Sequence, residues 1–214
     1  MLNKNLPFFY KVFEFKKNLG VTGARNFGYM NSSSKLILFF DSDDQLLSNN
    51  CDKMYNFICN NTANVYFFRC VDESNNIIGD IQLEPLISNS PNLLYGKGER
   101  IICVRKNNNL PFIQFLRGNE ITGLLYFAIK SKKIKFCWSN FPIRIYRNNN
   151  NGLSSKINTL HRSFLMSIGH FLSSIFSFYL LDYKWGLRFF FASIYRLLIS
   201  LRTVTVSTKT NISK

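Results

Sequence analysis

For roughly its first two thirds, the chain places apolar residues in short runs broken by polar turns, and then spreads them into long helical periods. The run Lys35 to Phe40, KLILFF, stops at the acidic cluster Asp41 to Asp44 and predicts a buried strand ending in an acidic loop. The preceding GARNFGYMNSSS predicts a short helix packed on the sheet, opened by Gly23 and closed by its serines. Ser48 stands where it caps a helix running to about Cys59. Asn64 to Val71, NVYFFRCV, predicts a second strand with the polar turn DESNN behind it. This alternation of helix and strand points to an α/β sheet. From Ile81 to Leu110 the signals are mixed. Pro85, Pro91, Gly96 and Gly98 suggest a long irregular segment and Ile101 to Val104 is a short apolar run, so the region is left unassigned. Gly118 precedes a predicted helix from about Asn119 to Ser131, and Ile134 to Tyr146 holds strand-like stretches around Pro142. The low-complexity run Asn148 to Gly152 marks a boundary, giving a first domain over 1–155 and a tail over 156–214.

In the tail, Ser163 to Leu181 carries no formal charge, and its length suits a transmembrane helix. Five serines, a glycine and His170 argue against one. The next stretch sets Lys184, Arg188 and Arg196 at multiples of four residues, with Ala192 and Ser200 on the same stripe amid abundant aromatic and leucine side chains. A basic helix with a narrow polar seam lies well at a headgroup interface, cations toward anionic lipid and aromatics at the acyl boundary. The other reading is a helical hairpin packed on the preceding domain.

Composition supports a folded chain. Of 214 residues 46% are hydrophobic and 16% aromatic, with only 5 prolines, which excludes a disordered or collagen-like protein. A net charge of +15 favours polyanionic partners: nucleic acid, an anionic membrane surface or phosphorylated substrates. No aromatic-basic repeat or nucleic-acid motif accompanies that charge, so a nucleic-acid partner is not expected. Five cysteines without a Cys-x-x-Cys pair predict buried thiols in a reducing compartment, and nothing in Met1 to Phe15 resembles a secretion signal.

The acidic cluster carries the most chemistry. Asp41 and Asp43, one residue apart at the end of a buried strand, suit one hard divalent cation, which in turn neutralises a diphosphate. An Asp-rich turn or helix start is the plain structural reading of the same residues. Before the cluster stands N-L-G-V-T-G-A-R-N-F-G, Asn18 to Gly28, and then KLILFFDSDD. Together these resemble the family 2 glycosyltransferases of GT-A (Rossmann-like) fold, in which N-x-G and A-R-N-x-G lead through a short helix into an apolar strand ending in D-x-D-D. The resemblance implies a nucleotide-diphospho-sugar donor held by Arg25, Asn26, Asp41 and Asp44. It also implies Mn²⁺ or Mg²⁺ on Asp41 and Asp43, with Asp44 as an outer ligand or loop anchor. Arg117 to Glu120, R-G-N-E, looks like the family's segment for the base, with Glu120 activating an acceptor hydroxyl for inverting transfer; a Glu in a helix's first turn is also a common dipole partner. KKIKFCWSNFPIRIYR looks like the closing strand, and Arg144 and Arg147 are candidates for a phosphate or plain exposed arginines.

The family's opening strand, helix and second strand have no counterpart, and Lys11 to Phe15, KVFEF, stands about where its third strand begins. The expected fold class is therefore α/β: an incomplete GT-A domain lacking its first strand-helix-strand unit, followed by a C-terminal helical hairpin. A late start codon, a truncated remnant and a partner supplying the missing half all remain open. The expected function is sugar transfer to a lipid-linked or saccharide acceptor in bacterial surface-polysaccharide synthesis, peripheral on the cytoplasmic face of the plasma membrane. The alternative is an inactive remnant that binds a membrane or partner.

Overall fold

The structure, a computed structural model, describes residues 11–80, 85–88, 98–106, 120–131, 134–147 and 160–212. Its elements follow in the order α1 (Gly20–Asn31), β1 (Leu36–Phe39), β2 (Gln45–Leu46), a 3-10 turn (Ser48–Asn50), α2 (Cys51–Asn60), β3 (Val65–Val71), β4 (Leu86–Ser88), β5 (Arg100–Arg105), α3 (Glu120–Ser131), β6 (Phe136–Ile145), α4 (Leu160–Tyr179) and α5 (Tyr183–Ile212).

All seven residues of β3 are buried, so this strand is covered on both faces. Alternation along it assigns the two faces. Val65 and Phe67 join Ile102, Val104, Phe136 and Trp138 under Tyr29 of α1, Leu124 and Leu125 of α3 and Phe189 of α5. Tyr66 and Phe68 join Ile101, Cys103, Phe141 and Ile143 under Ile58, Met54 and Phe57 of α2. A β-branched and aromatic run without charges until Arg69 fits such a doubly covered strand, each large apolar side chain contributing about 1.5–3 kcal/mol on burial.

The six strands among the described residues run β1-β5-β3-β6-β2, with β4 also pairing β6. β5 is antiparallel to both β1 and β3, and β3 is parallel to β6, so the sheet is mixed. Here the structure departs from the sequence expectations. The segment left unassigned over 81–110 supplies β5, a strand in the middle of the sheet; four apolar residues between two arginines are too short to announce a position that long-range pairing decides. Among the described residues β1 is an edge strand with only β5 beside it, and of its four residues only Phe39 is buried. The stretches around Pro142 form one ten-residue strand, the proline sitting opposite Arg69 where the register with β3 shifts. Ser48 does not cap α2: it opens the 3-10 turn, and Asn50 precedes the helix without a side-chain cap bond. Lys11 to Phe15 forms no strand; Phe13 and Phe15 instead pack edge-on against Phe27 of α1, each with ring centroids 4.9 Å apart. The boundary run 148–152 lies outside the described residues.

α4 and α5 form an antiparallel hairpin. Its turn places Leu181 at φ 59°, and Asp182 Oδ1 accepts from the Trp185 amide at 3.3 Å to start α5. Buried serines line the contact: Ser167 Oγ donates to Ser193 O at 2.9 Å and Ser174 Oγ to Gly186 O at 2.8 Å. Phe189 enters the sheet's core, and Phe176, Leu180 and Trp185 pack against it. Among the described residues no helix is long and apolar enough to cross a membrane. The basic seam on α5 precesses by about 40° at each four-residue step. Lys184 and Arg188 are exposed, whereas Ser200 at the seam's far end is buried.

Candidate functional site

Because β1, β3 and β6 point the same way, their carboxyl ends meet at one end of the sheet, where β5 begins. Ligand sites of α/β sheets lie at such ends. Asp41 to Asp44, Glu99, Arg100, Arg144 and Arg147 all collect there.

The N-L-G motif has a local explanation. Asn18 Oδ1 accepts from the Gly20 amide at 2.7 Å, and Gly20 takes φ 70°, a conformation that favours glycine. That turn starts α1. At its far end Lys106 Nζ donates to the carbonyl of Ser32 at 2.5 Å, a cation placed where the helix dipole favours one. Gly23 is small because a Cβ there would approach Leu19 Cβ to 2.6 Å, so its smallness serves the packing of the chain entering the helix.

Between α1 and β1 runs a groove of about 460 Å³, lined by Val21, Ala24, Arg25 and Gly28 on one side and by Ile37 to Ser42 on the other. Across its end Arg25 Nη2 donates to Asp41 Oδ1 at 2.9 Å, with the guanidinium 5.8 Å over the Phe39 ring. The two side chains are 20% and 45% exposed, so water reaches this pair and it can exchange partners.

Asp44 has a different surrounding. Its carboxylate meets Arg144 Nη1 at 2.7 Å, the two side chains only 3% and 4% exposed. Arg144 Nε contacts Cys70 Sγ at 3.0 Å and Nη2 reaches Glu99 at 3.4 Å. Burial pushes the Asp44 carboxyl upward and Asp41 and Asp43 add to it, while Arg144 pulls the other way. For Arg144 burial opposes the charge, but Cys70, Asp44 and Glu99 outweigh it and leave the guanidinium more firmly protonated. Burial holds the Cys70 thiol at about 11, so it stays protonated and unreactive. The Arg144–Asp44 pair ties the acidic loop to β6.

The structure thus brings Arg25 and Asp41 together on the groove and draws Asp44 inward to Arg144. Asp43 is exposed and Asn26 half-buried on α1. Glu120 opens α3, but its side chain, like residues 117–119, lies outside the described ones. Among the described residues no three His, Cys, Asp or Glu side chains group as metal ligands. The sequence makes Arg144 a candidate phosphate ligand or a plain exposed strand arginine. It is neither: it is a buried partner of Asp44, and its place next to the last residue of β6, between Ile143 and Ile145, is the available signal. Arg147 bonds Gln45 at 3.0 Å and lies 3.7 Å from Glu73.

These features define an α/β domain that offers a groove and an acidic loop at the carboxyl ends of its strands. Residues 3–117 match the family described as glycosyl transferase family 2, and the chain belongs to it. Membership implies glycosyl transfer from a nucleotide-sugar donor to an acceptor. No curated protein and no solved structure matches the chain.

Proposed function

We propose that this chain moves a sugar from a nucleotide-diphospho-sugar to a saccharide or lipid-phosphate-linked hydroxyl in cell-surface polysaccharide synthesis, the donor lying in the groove between α1 and β1. The observation that supports this is the solvent-reached Arg25–Asp41 pair on that groove. A diphosphate competes with Asp41 for the guanidinium, whose fork suits phosphate, and so frees the carboxylate for ribose. Asp41 and Asp43 offer the oxygen donors that would hold Mg²⁺ or Mn²⁺, and the cation would supply charge neutralisation of the leaving diphosphate. Asp44, held by Arg144, sets the shape of the loop. Glu120 takes the proton of the acceptor hydroxyl, whose oxygen attacks the anomeric carbon with inversion while the nucleoside diphosphate leaves.

A thermal-shift panel with UDP, GDP and CDP, each with and without Mn²⁺, tests this reading. At about a hundred times its dissociation constant the right nucleotide adds about 2.7 kcal/mol, a rise of roughly 5–10 °C for a chain of this size. Asp43→Asn is expected to remove the part that needs Mn²⁺. No rise with any nucleotide sinks the donor site and favours a scaffold without turnover.

A further inference from the structure

The faces of α4 and α5 that point away from the core carry apolar side chains where a helix facing water carries polar ones. On α4, Phe164, Phe171 and Ile175 are 45–47% exposed and recur at spacings of seven and four, one stripe of the helix. On α5, Leu187, Phe191 and Leu198 are 51–63% exposed and form a second stripe. Both helices meet the core through other faces, by way of Phe176, Trp185 and Phe189. An exposed apolar surface of this extent on a folded domain marks something that covers it.

Charge selects the occupant. Residues 160–214 carry seven cations (Arg162, Lys184, Arg188, Arg196, Arg202, Lys209 and Lys214) against one acid, Asp182, which is engaged with the Trp185 amide. Lys184 and Arg188 are exposed and lie at one border of the α5 stripe, with Arg188 over the Trp185 ring at 4.5 Å. Tyr179, Tyr183 and Tyr195, all more than 60% exposed, suit a headgroup boundary, where an amphipathic ring meets both phases. A second copy of this chain would bring the same positive surface against itself. An acidic, wet, apolar-floored layer is what the face complements, and among the described residues no helix has the length and apolarity to cross one.

We propose that the outer face of the α4–α5 hairpin docks on an anionic lipid surface, its apolar side chains at the acyl boundary and Lys184 and Arg188 among the headgroup phosphates. The proposal does not rest on the sugar chemistry.

Co-sedimentation of the full chain tests it, using vesicles of phosphatidylcholine alone and vesicles in which about a third of the lipid is phosphatidylglycerol. Binding is expected to the anionic vesicles and to weaken as salt rises. Lys184→Gln with Arg188→Gln is expected to lower the partition roughly 25-fold, since each cation near such a surface contributes about fivefold. Phe191→Ser with Leu198→Ser is expected to abolish binding while leaving the melting temperature nearly unchanged, because both side chains are exposed. Absence of wild-type binding, equal binding to both vesicle types, or unaltered binding of either variant overturns the proposal. So does a wild-type dimer that ignores vesicles and that Phe191→Ser with Leu198→Ser dissolves. The nucleotide-dependent thermal shift is unaffected by either variant, so failure here and failure of the donor site are separate results.

Discussion

The sheet end and the helical hairpin solve the same problem, polar atoms inside an apolar structure, in opposite ways. At the sheet end the buried groups are charged and their partners distant: Arg144 and Asp44 are 100 residues apart, and Arg144 reaches Glu99 across 45. In the hairpin they are mostly hydroxyls, several of them with near partners. Ser173 donates to the carbonyl of Gly169 and Ser200 to that of Arg196, four residues back in each case, and Ser174 to that of Gly186 twelve residues on. A neutral hydroxyl carries a small desolvation cost and contributes about 1 kcal/mol when bonded, whereas a buried charge is costly unless its partner is in place. The hairpin therefore tolerates local loss, while the sheet end is held by pairs that fail together.

Replacing Arg144 with Met is the largest test of that contrast. It keeps most of the side-chain volume and leaves Asp44 buried without its cation. The expected loss is about 3–5 kcal/mol in urea unfolding, with much of it recovered in Arg144→Met combined with Asp44→Leu. A loss below about 1 kcal/mol, or no recovery in the double variant, means that the pair does not hold the loop and that the two regions do not differ in kind.

The same contrast explains what could be read from the sequence. α3, β3 and the two tail helices were legible because short-range periodicity and composition specify them, as NVYFFRCV does for a doubly covered strand. The motif from Asn18 to Asp44 was legible because Asn18, Gly20 and the acidic loop act within a few residues of one another. β5 was not, since its place between β1 and β3 follows from pairings with two other strands. Nor was the burial of Arg144, whose partners Asp44, Cys70 and Glu99 come from three separate parts of the chain. The apolar outer face of α5 was half legible. The cations were visible at fourfold spacing, but their drift from the exposed side toward the buried one depends on which face α4 occupies.

Ser174→Ala sharpens the comparison from the hairpin side. The hydroxyl's bond to Gly186 O is 2.8 Å and buried, but its acceptor is a helix carbonyl and alanine is the better helix former. The expected loss is about 0.5–1 kcal/mol by the same urea measurement, several times smaller than for Arg144→Met. A loss above about 3 kcal/mol places the hairpin's hydroxyls on the same footing as the sheet's charges and removes the distinction.

His170 gives the smallest and most specific effect, because it is a half-buried titratable ring within the hairpin. Its ring stacks on Phe189 with centroids 5.9 Å apart, and its buried Nδ1 has no hydrogen-bond partner among the described residues. Burial pushes its pKa below the ordinary value and the nearby Arg196 charge pushes the same way. The unfolded chain then binds a proton more readily than the folded one. Stability from this group is fully present above the unfolded value of about 6.5 and declines as pH falls through it, until the folded group also protonates. Melting temperature is therefore expected to drop between about pH 7.5 and about pH 5.5, and to drop less in His170→Gln, where no proton is taken up. Equal slopes in the two proteins show that His170 is as well solvated folded as unfolded. In that case the hairpin interface holds water, and the neutral, dry contact that distinguishes it from the sheet end does not exist.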